Sequence, residues 1–243
     1  GNYGSCVNVG LKRATGKYIK VLDADDCFNT RVFEAYLNGI KEYDTDMLIS
    51  DYVEVYPELE TIISCDIPGN QIVDFKELCK NHKIWNLWMH NVAYKRELLL
   101  GSDYQQTEGI SYTDQEWIFS PFTAVKTAVY FKLPLYRYTL GREGQTMSSA
   151  FSDKHFRDNI VCTCNMIELA RHFNNVPNEI MSMLNYRLQK RCKFIYRTYM
   201  LKNGIINNKD LNVLDEKIKS SNPSLYKATG NLPMSIPLFP IKY

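Results

Sequence analysis

The chain has 243 residues, 45% of them hydrophobic and 23% charged, enough to build one substantial globular core. A formal charge of +2 gives no whole-protein reason to expect nucleic-acid binding. The seven cysteines are scattered without zinc-site spacing, and no apolar run approaches the ~20 residues of a membrane span. Free thiols and the lack of a signal peptide point to the cytoplasmic side.

Residues 5–14 read as a short helix, with Ser5 as N-cap and Gly16 just past its end. Lys17 to Leu22 forms an apolar strand that delivers Asp23, Asp25 and Asp26 into the loop behind it. Three carboxylates in four positions repel unless a cation, a hydrogen-bond network or open solvent relieves them. Two readings stand: a site for a hard divalent cation carrying substrate phosphates, or an Asp-rich turn that caps the next helix. Asn29 is placed to cap that helix, whose apolar positions Val32, Phe33, Tyr36, Leu37 and Ile40 follow helical spacing.

Met47 to Val55 is strand-like, and an extended run over 62–67 pairs with it as a hairpin. Val73 to Asn81 and Lys95 to Leu100 read as helices. Between them lies a segment rich in large apolar groups, with Trp85, Trp88 and His90. Residues 111–119 carry a second acidic pair, Asp114 and Glu116, either a functional pair or acids favoured at a helix N-terminus. Thr127 to Phe131 and Leu135 to Tyr138 form closing strands. From Ser152 the pattern turns helical, over 152–173, 178–202 and 210–220, and the Pro-containing tail 231–243 is extended or packed down. The organisation is an α/β body over 1–150 and a helical region over 151–243. On the helix 178–202, Lys190, Arg191, Lys193 and Arg197 oppose Leu184, Leu188, Ile195 and Tyr199. This is a solvated face by default, with peripheral contact to anionic lipid as the alternative.

The order of motifs over residues 2–30 resembles the family-2 glycosyltransferases, which are inverting and have the GT-A fold. Asn2, Gly4, Asn8, Gly10 and Leu11 match an N-x-G-x-x-x-(A/R)-N-x-G-L helix, and Leu22 to Asp26 match the strand ending in an Asp-x-Asp motif. Val7 departs from the pattern, standing where many members carry Arg. The resemblance implies a GT-A mixed sheet with flanking helices, followed by a C-terminal helical appendage. It implies Asn8, Asp23 and Asp25 on the donor side, Mg²⁺ or Mn²⁺ on Asp25 and Asp23, and Asp26 as helix cap or second neighbour. His155 is a candidate for the C-terminal His ligand that such enzymes often use.

Tyr112 to Trp117 is similar to the family's E-D-x-E-(F/W) segment, with Thr113 in place of the first Glu. That implies Asp114 as the base that deprotonates an acceptor hydroxyl, with Glu116 as the reserve if the alignment slips. Arg142-Glu143-Gly144-Gln145-Thr146 resembles an R-x-G-Q-(S/T) loop, so Arg142 faces the donor diphosphate, and Gln145 and Thr146 face donor or acceptor. Trp88 and His90, between the two acidic motifs, fall on the acceptor side.

The resemblance implies a metal-dependent hexosyltransferase of polysaccharide biosynthesis. The donor is a UDP- or GDP-sugar, the acceptor a glycan or lipid-linked hydroxyl, and the location the cytoplasm or the inner membrane face. Gly1 is not a start methionine, so the nucleobase-binding strands are expected upstream of this chain. Two alternatives belong to other classes: a haloacid-dehalogenase-like phosphatase, whose motif needs Gly-Thr where Asp26 and Cys27 stand, and a non-catalytic sugar- or nucleotide-binding module.

Overall fold

The structure, a computed structural model, describes residues 2–142, 149–203 and 209–229. Helix α1 (Tyr3–Arg13) starts two residues earlier than expected. Asn2 is its N-cap, accepting from Ser5 N at 3.4 Å, while the Ser5 hydroxyl accepts from Asn2 N at 2.8 Å. Ser5 is therefore the third helical residue of a reciprocal capping box.

The strand expected over 17–22 is only β1 (Tyr18–Ile19). From Lys20 onward the chain leaves the ladder, and the Lys20 ammonium donates to the carbonyls of His90 and Val92 at 2.7 and 3.4 Å. Strand β2 (Cys27–Phe28) follows the acidic turn and leads into α2 (Thr30–Glu42). As predicted, Asn29 caps α2, accepting from Arg31 N at 3.2 Å.

Strand β3 (Met47–Val55) is central and almost entirely buried. Strand β4 (Glu60–Ile63) returns antiparallel to it, as the hairpin reading requires. Residues 72–74 form β5 (Ile72–Asp74), which takes over the start of the helix expected there, leaving α3 (Phe75–Cys79). Strand β6 (Val92–Lys95) and helix α4 (Arg96–Gly101) follow, then the short α5 (Asp114–Trp117).

The two closing strands are one, β7 (Thr127–Thr139), which runs through Pro134. The sheet order is β1-β6-β3-β7-β2, with β4 on β3 and β5 on β7. β3 and β7 are parallel, and the other pairs are antiparallel. Proline lacks the N–H that a central ladder needs, so it requires an irregularity. The irregularity is on β7 itself: the register shifts on both sides of the Asp51–Pro134 pair, where β7 runs from Phe131 to Tyr136 while β3 runs only from Ser50 to Tyr52. Asp51 is 1% exposed and its carboxylate accepts from Tyr130 Oη (2.6 Å), Ser64 Oγ (3.1 Å) and Cys65 N (3.2 Å).

Helix α2 covers one sheet face, with Tyr36 packed among Leu48, Val129, Phe131 and Leu135. The other face shares a single core with α6 (Ser149–Arg171) and α7 (Asn178–Asn203). Met47, Ile49, Tyr94, Trp117 and Phe119 pack in one cluster with Ile160, Met166, Leu184, Leu188 and Ile195. The change near residue 150 is thus one of secondary structure within a continuous core. Helices α8 (Lys209–Ser221) and α9 (Pro223–Thr229), the latter not expected from the sequence, complete the helical region.

Asp51→Ala is expected to lower stability by about 3 kcal/mol, because it leaves a buried tyrosine hydroxyl and a backbone N–H without their acceptor. Urea unfolding of the variant beside the parent measures this.

Candidate active site

The first motif helix grips the loop that carries the second acidic motif. Asn8 Nδ2 donates to Gln106 O (2.8 Å) and Glu108 Oε1 (2.9 Å), and its Oδ1 accepts from Gln106 N (2.9 Å). Asn2 Nδ2 donates to Ile110 O at 3.1 Å. Between them, a Cβ on Gly4 would stand 1.9 Å from Thr107 O, so only glycine permits this approach. Asn8, expected on the donor side, has its amide engaged at both ends by this loop and so clamps it.

The loop is fixed from its other side as well. Glu116 Oε2 accepts from Thr107 N at 2.7 Å and Oε1 from Thr107 Oγ1 at 2.6 Å. Both oxygens of the reserve base therefore already serve the loop. Ser111 N donates to Asp158 Oδ2 at 3.0 Å, and Tyr112 sits at φ +64°, a left-handed conformation unusual for a bulky residue. Asp114 emerges from this frame at the start of α5, with Gln115 Nε2 donating to its Oδ2 at 2.9 Å.

The acidic turn after β1 is organised by Tyr136 of β7. Its hydroxyl accepts from Asp23 N (3.2 Å) and donates to Asp26 Oδ2 (2.7 Å), while Thr139 N donates to Asp26 Oδ1 (2.7 Å). Asp26 therefore caps no helix; it ties the turn to the end of β7. Arg142 Nη2 donates to Asp25 O at 2.6 Å, so this arginine holds the turn's backbone. Asp25 is exposed, and its carboxylate has no hydrogen-bond partner among the described residues. Gln145 and Thr146 lie outside the described residues.

His90 closes the site from the β6 side. Its ring lies 4.3 Å from that of Tyr138, 4.7 Å from Tyr136 and 5.3 Å from Tyr52. Its Nδ1 is fully shielded and has no hydrogen-bond partner among the described residues. One ligand atom each from Asp23, Asp26 and His90 lies within 4.8 Å of the others. This grouping differs from the expected Asp23, Asp25 and His155. His155 sits on α6, where its Nδ1 pairs with Asp158 Oδ2 at 3.1 Å. Carboxylate oxygens with a neutral imidazole suit Mg²⁺ or Mn²⁺, so the residues fit such an ion.

The electrostatics reflect the crowding. Burial first, then Asp26, Asp114 and Asp25, push Asp23 up to about 7, opposed by a hydrogen bond from Tyr3. Asp114 is likewise raised by burial, and the charge of Arg191 opposes the shift. Burial, then Lys20, lowers His90 to about 3, which keeps the imidazole neutral. Burial also brings Lys20 down to about 7. Asp114 appears among the charges acting on Asp23 and Tyr3, so the two acidic motifs share one electrostatic site.

Trp88 is 40% exposed, two residues before His90, with its indole open to solvent. The basic stripe predicted on α7 is not a uniform solvated face. Lys190 is exposed and rests over the rings of Trp85 (5.2 Å) and Tyr186 (5.0 Å), whereas Arg191 turns inward to Thr163 and Asn159. The side chain of Tyr199 lies outside the described ones. No described helix is long and apolar enough to cross a membrane.

A mixed sheet with flanking helices and two acidic motifs meeting at the strand ends defines a GT-A-type α/β protein. Residues 2–100 match the family described as Glycosyl transferase family 2. The chain is 23% identical over 129 residues to the uncharacterized glycosyltransferase EpsJ of Bacillus subtilis (strain 168), covering 50% of this chain and 36% of that protein. Its fold is similar to that of S. aureus TarS 1–349 solved in complex with UDP-GlcNAc. The TM-score is 0.70 and the identity 19%, over 93% of this chain and 63% of that one. The same TarS fragment in complex with UDP gives a TM-score of 0.67 at 16% identity, over 93% and 62%. The chain thus spans less than two thirds of these relatives' lengths. The family match and fold set aside the phosphatase reading.

Because the folded-state pKa of Asp23 lies above its ordinary 3.8, folding favours its protonated form. That contribution is complete below pH ~4 and is lost as pH rises through about 7, where the ionised carboxylate weighs against the fold. A divalent cation relieves the ionised form, so millimolar Mn²⁺ or Mg²⁺ is expected to raise the melting temperature more at pH 8 than at pH 5.5. Asp23→Asn is expected to abolish the difference, which differential scanning fluorimetry reads directly. Asn8→Ala, which leaves the Gln106 backbone unpaired, is expected to cost about 2–4 kcal/mol by urea unfolding.

Proposed function

We propose that the chain carries the catalytic site of an inverting glycosyltransferase, which moves a sugar from a nucleotide-sugar donor to an acceptor hydroxyl. The observation that carries this reading is the meeting of Asp114 with the Asp23–Asp26 turn in one site, the turn lying within the segment 2–100 that matches family 2. The likeness to a fold solved with UDP-GlcNAc supports a UDP-sugar as donor.

In this reading Asp114 takes the proton of the acceptor hydroxyl as its oxygen attacks the anomeric carbon. The bond from that carbon to the diphosphate oxygen breaks, and its electron pair leaves with the nucleoside diphosphate. Burial raises the Asp114 pKa, which strengthens the carboxylate as a base while Arg191 opposes excessive protonation. Glu116 holds Thr107, so Asp114 is the freer carboxylate of the pair.

Asp23, Asp26 and His90 would hold a divalent cation, with the unpartnered Asp25 carboxylate at its solvent side. Such an ion, when bound, supplies electrostatic stabilisation to the departing diphosphate. Tyr136 and Thr139 keep the Asp26 carboxylate oriented, as outer partners of a metal ligand do. Arg142 fixes the turn through Asp25 O and sits where it can face phosphate. The exposed Trp88 indole offers a flat apolar platform for an acceptor sugar ring, while His90, walled in by three tyrosine rings, contributes through the turn. The acceptor is a glycan or lipid-linked hydroxyl, met in the cytoplasm or at the membrane's inner face.

The test is UDP or GDP release from a panel of nucleotide sugars, with and without Mn²⁺. Asp114→Asn is expected to lower kcat by about 10²–10⁴-fold with KM little changed. Full activity in that variant removes Asp114 as the base, and activity unaffected by chelation removes the cation.

A further inference from the structure

His90 lies outside the sheet, in the turn 88–91 that leads into β6 and is closed by Asn91 N donating to Trp88 O at 3.0 Å. Among the described residues, three side chains from different elements fasten this segment. Asn91 holds it to β3: its carbonyl accepts from Ser50 N at 2.8 Å, its Nδ2 donates to Ser50 O at 2.9 Å, and its Oδ1 accepts from Trp88 N at 2.9 Å. Arg187 of α7 donates to the carbonyls of Trp85 and Leu87 just upstream, the latter at 3.0 Å. Neither touches the carbonyl of His90 itself. That oxygen accepts from the third group, the Lys20 ammonium.

A longer β1 would supply backbone donors on this side. Tyr18 and Ile19 pair with Lys95 and Tyr94, and Arg96 N donates to Lys17 O at 2.8 Å, so every second carbonyl of β6 points toward β1. The next acceptors along that edge are those of Val92 and His90. β1 ends at Ile19, because the chain turns away there to form the acidic turn, and no ladder N–H is left to meet them. Lys20 Nζ meets both, at 2.7 Å to His90 O and 3.4 Å to Val92 O. It also stands 5.8 Å from the centroid of the Tyr136 ring, whose hydroxyl bonds Asp23 N and Asp26 Oδ2. No carboxylate among the described residues pairs with this partly buried ammonium. One side chain thus backs both the turn that carries the imidazole and the ring that orders the carboxylates.

We propose that Lys20 is a positioning residue for the candidate cation site: its hydrogen bonds fix the turn that presents His90, and its ammonium backs the Tyr136 ring. This rests on the reading of Asp23, Asp26 and His90 as cation ligands. Outer supports of this kind set where a ligand stands, and losing one typically costs about 10–100-fold in metal affinity. A plain charge effect has the opposite sign, since removing a nearby ammonium tightens the hold on a divalent cation. The direction of the change therefore separates positioning from electrostatics.

The experiment needs no substrate. Mn²⁺ is titrated into the chain at one fixed pH and followed by EPR, in which binding removes the sharp signal of the free ion. Lys20→Met is expected to weaken Mn²⁺ by about 10-fold or more, and Lys20→Arg, which keeps charge and donors, is expected to restore most of the affinity. A folded Lys20→Met that binds Mn²⁺ as tightly as the parent, or more tightly, overturns the proposal. Loss of stability in urea beside unchanged affinity does the same, because the lysine then serves the fold alone. If Lys20→Met does not fold, Lys20→Gln, a neutral donor of shorter reach, takes its place. Several-fold weaker binding in that variant supports the proposal, and unchanged or tighter binding overturns it. Asp26→Asn keeps the two readings apart. A parent that binds Mn²⁺ no more tightly than Asp26→Asn loses the cation site and the proposal together, whereas a parent tighter than Asp26→Asn but equal to Lys20→Met loses the proposal alone.

Discussion

The site depends on bringing four carboxylates, Asp23, Asp25, Asp26 and Asp114, to one partly buried place. Like charges in low dielectric oppose the fold unless something answers them. The protein answers them separately. Asp26 is satisfied by Tyr136 and Thr139, Asp114 sits against the field of Arg191, Asp25 stays in solvent, and Asp23 is left with its pKa near neutrality. That residual imbalance concentrates on Asp23, which shares with Asp26 the neighbourhood of the His90 imidazole.

Bringing the two acidic motifs together is mostly the work of residues that do not face the site. Asn2, Gly4 and Asn8 press α1 against the loop 104–111, and Glu116 and Asp158 hold that loop from behind. The chain separation bridged is about a hundred residues, so each clamp constrains contacts that local propensity cannot specify. The strained Tyr112 is tolerated because these hydrogen bonds over-determine its neighbourhood.

Much of this was legible in the sequence, but unevenly. Met47–Val55 and the cap at Asn29 were readable because strand patterning and capping are local rules. Pro134 misled, since a proline inside an apolar run signals a break, whereas here β7 bulges around it and keeps its pairing with β3 on either side. The acidic motifs pointed to two loops that the fold brings together, yet not to which carboxylates group with which imidazole. His90 over His155 depends on three tyrosine rings drawn from β3 and β7, a tertiary fact. Arg191 looked like one of four basic residues on a helix, and nothing in its spacing distinguishes an inward guanidinium from an outward one.

The helical region therefore bears on the site as directly as the sheet does. A helix pair attached to a finished α/β body would bury apolar residues and keep its polar ones in water. Here α6 and α7 place Asn159, Thr163 and Arg187 at or below 9% exposure, with each in a hydrogen bond. Burying such groups is unfavourable unless their geometry is constrained, so it confines α7 to one register against α6 and the segment 85–87. The same constraint fixes both walls of the site, since the carbonyls held by Arg187 precede His90 and the α6 face engaged by Arg191 touches the backbone before Asp114. The segments before His90 and before Asp114 are thereby tied together by a helix pair carrying neither acidic motif.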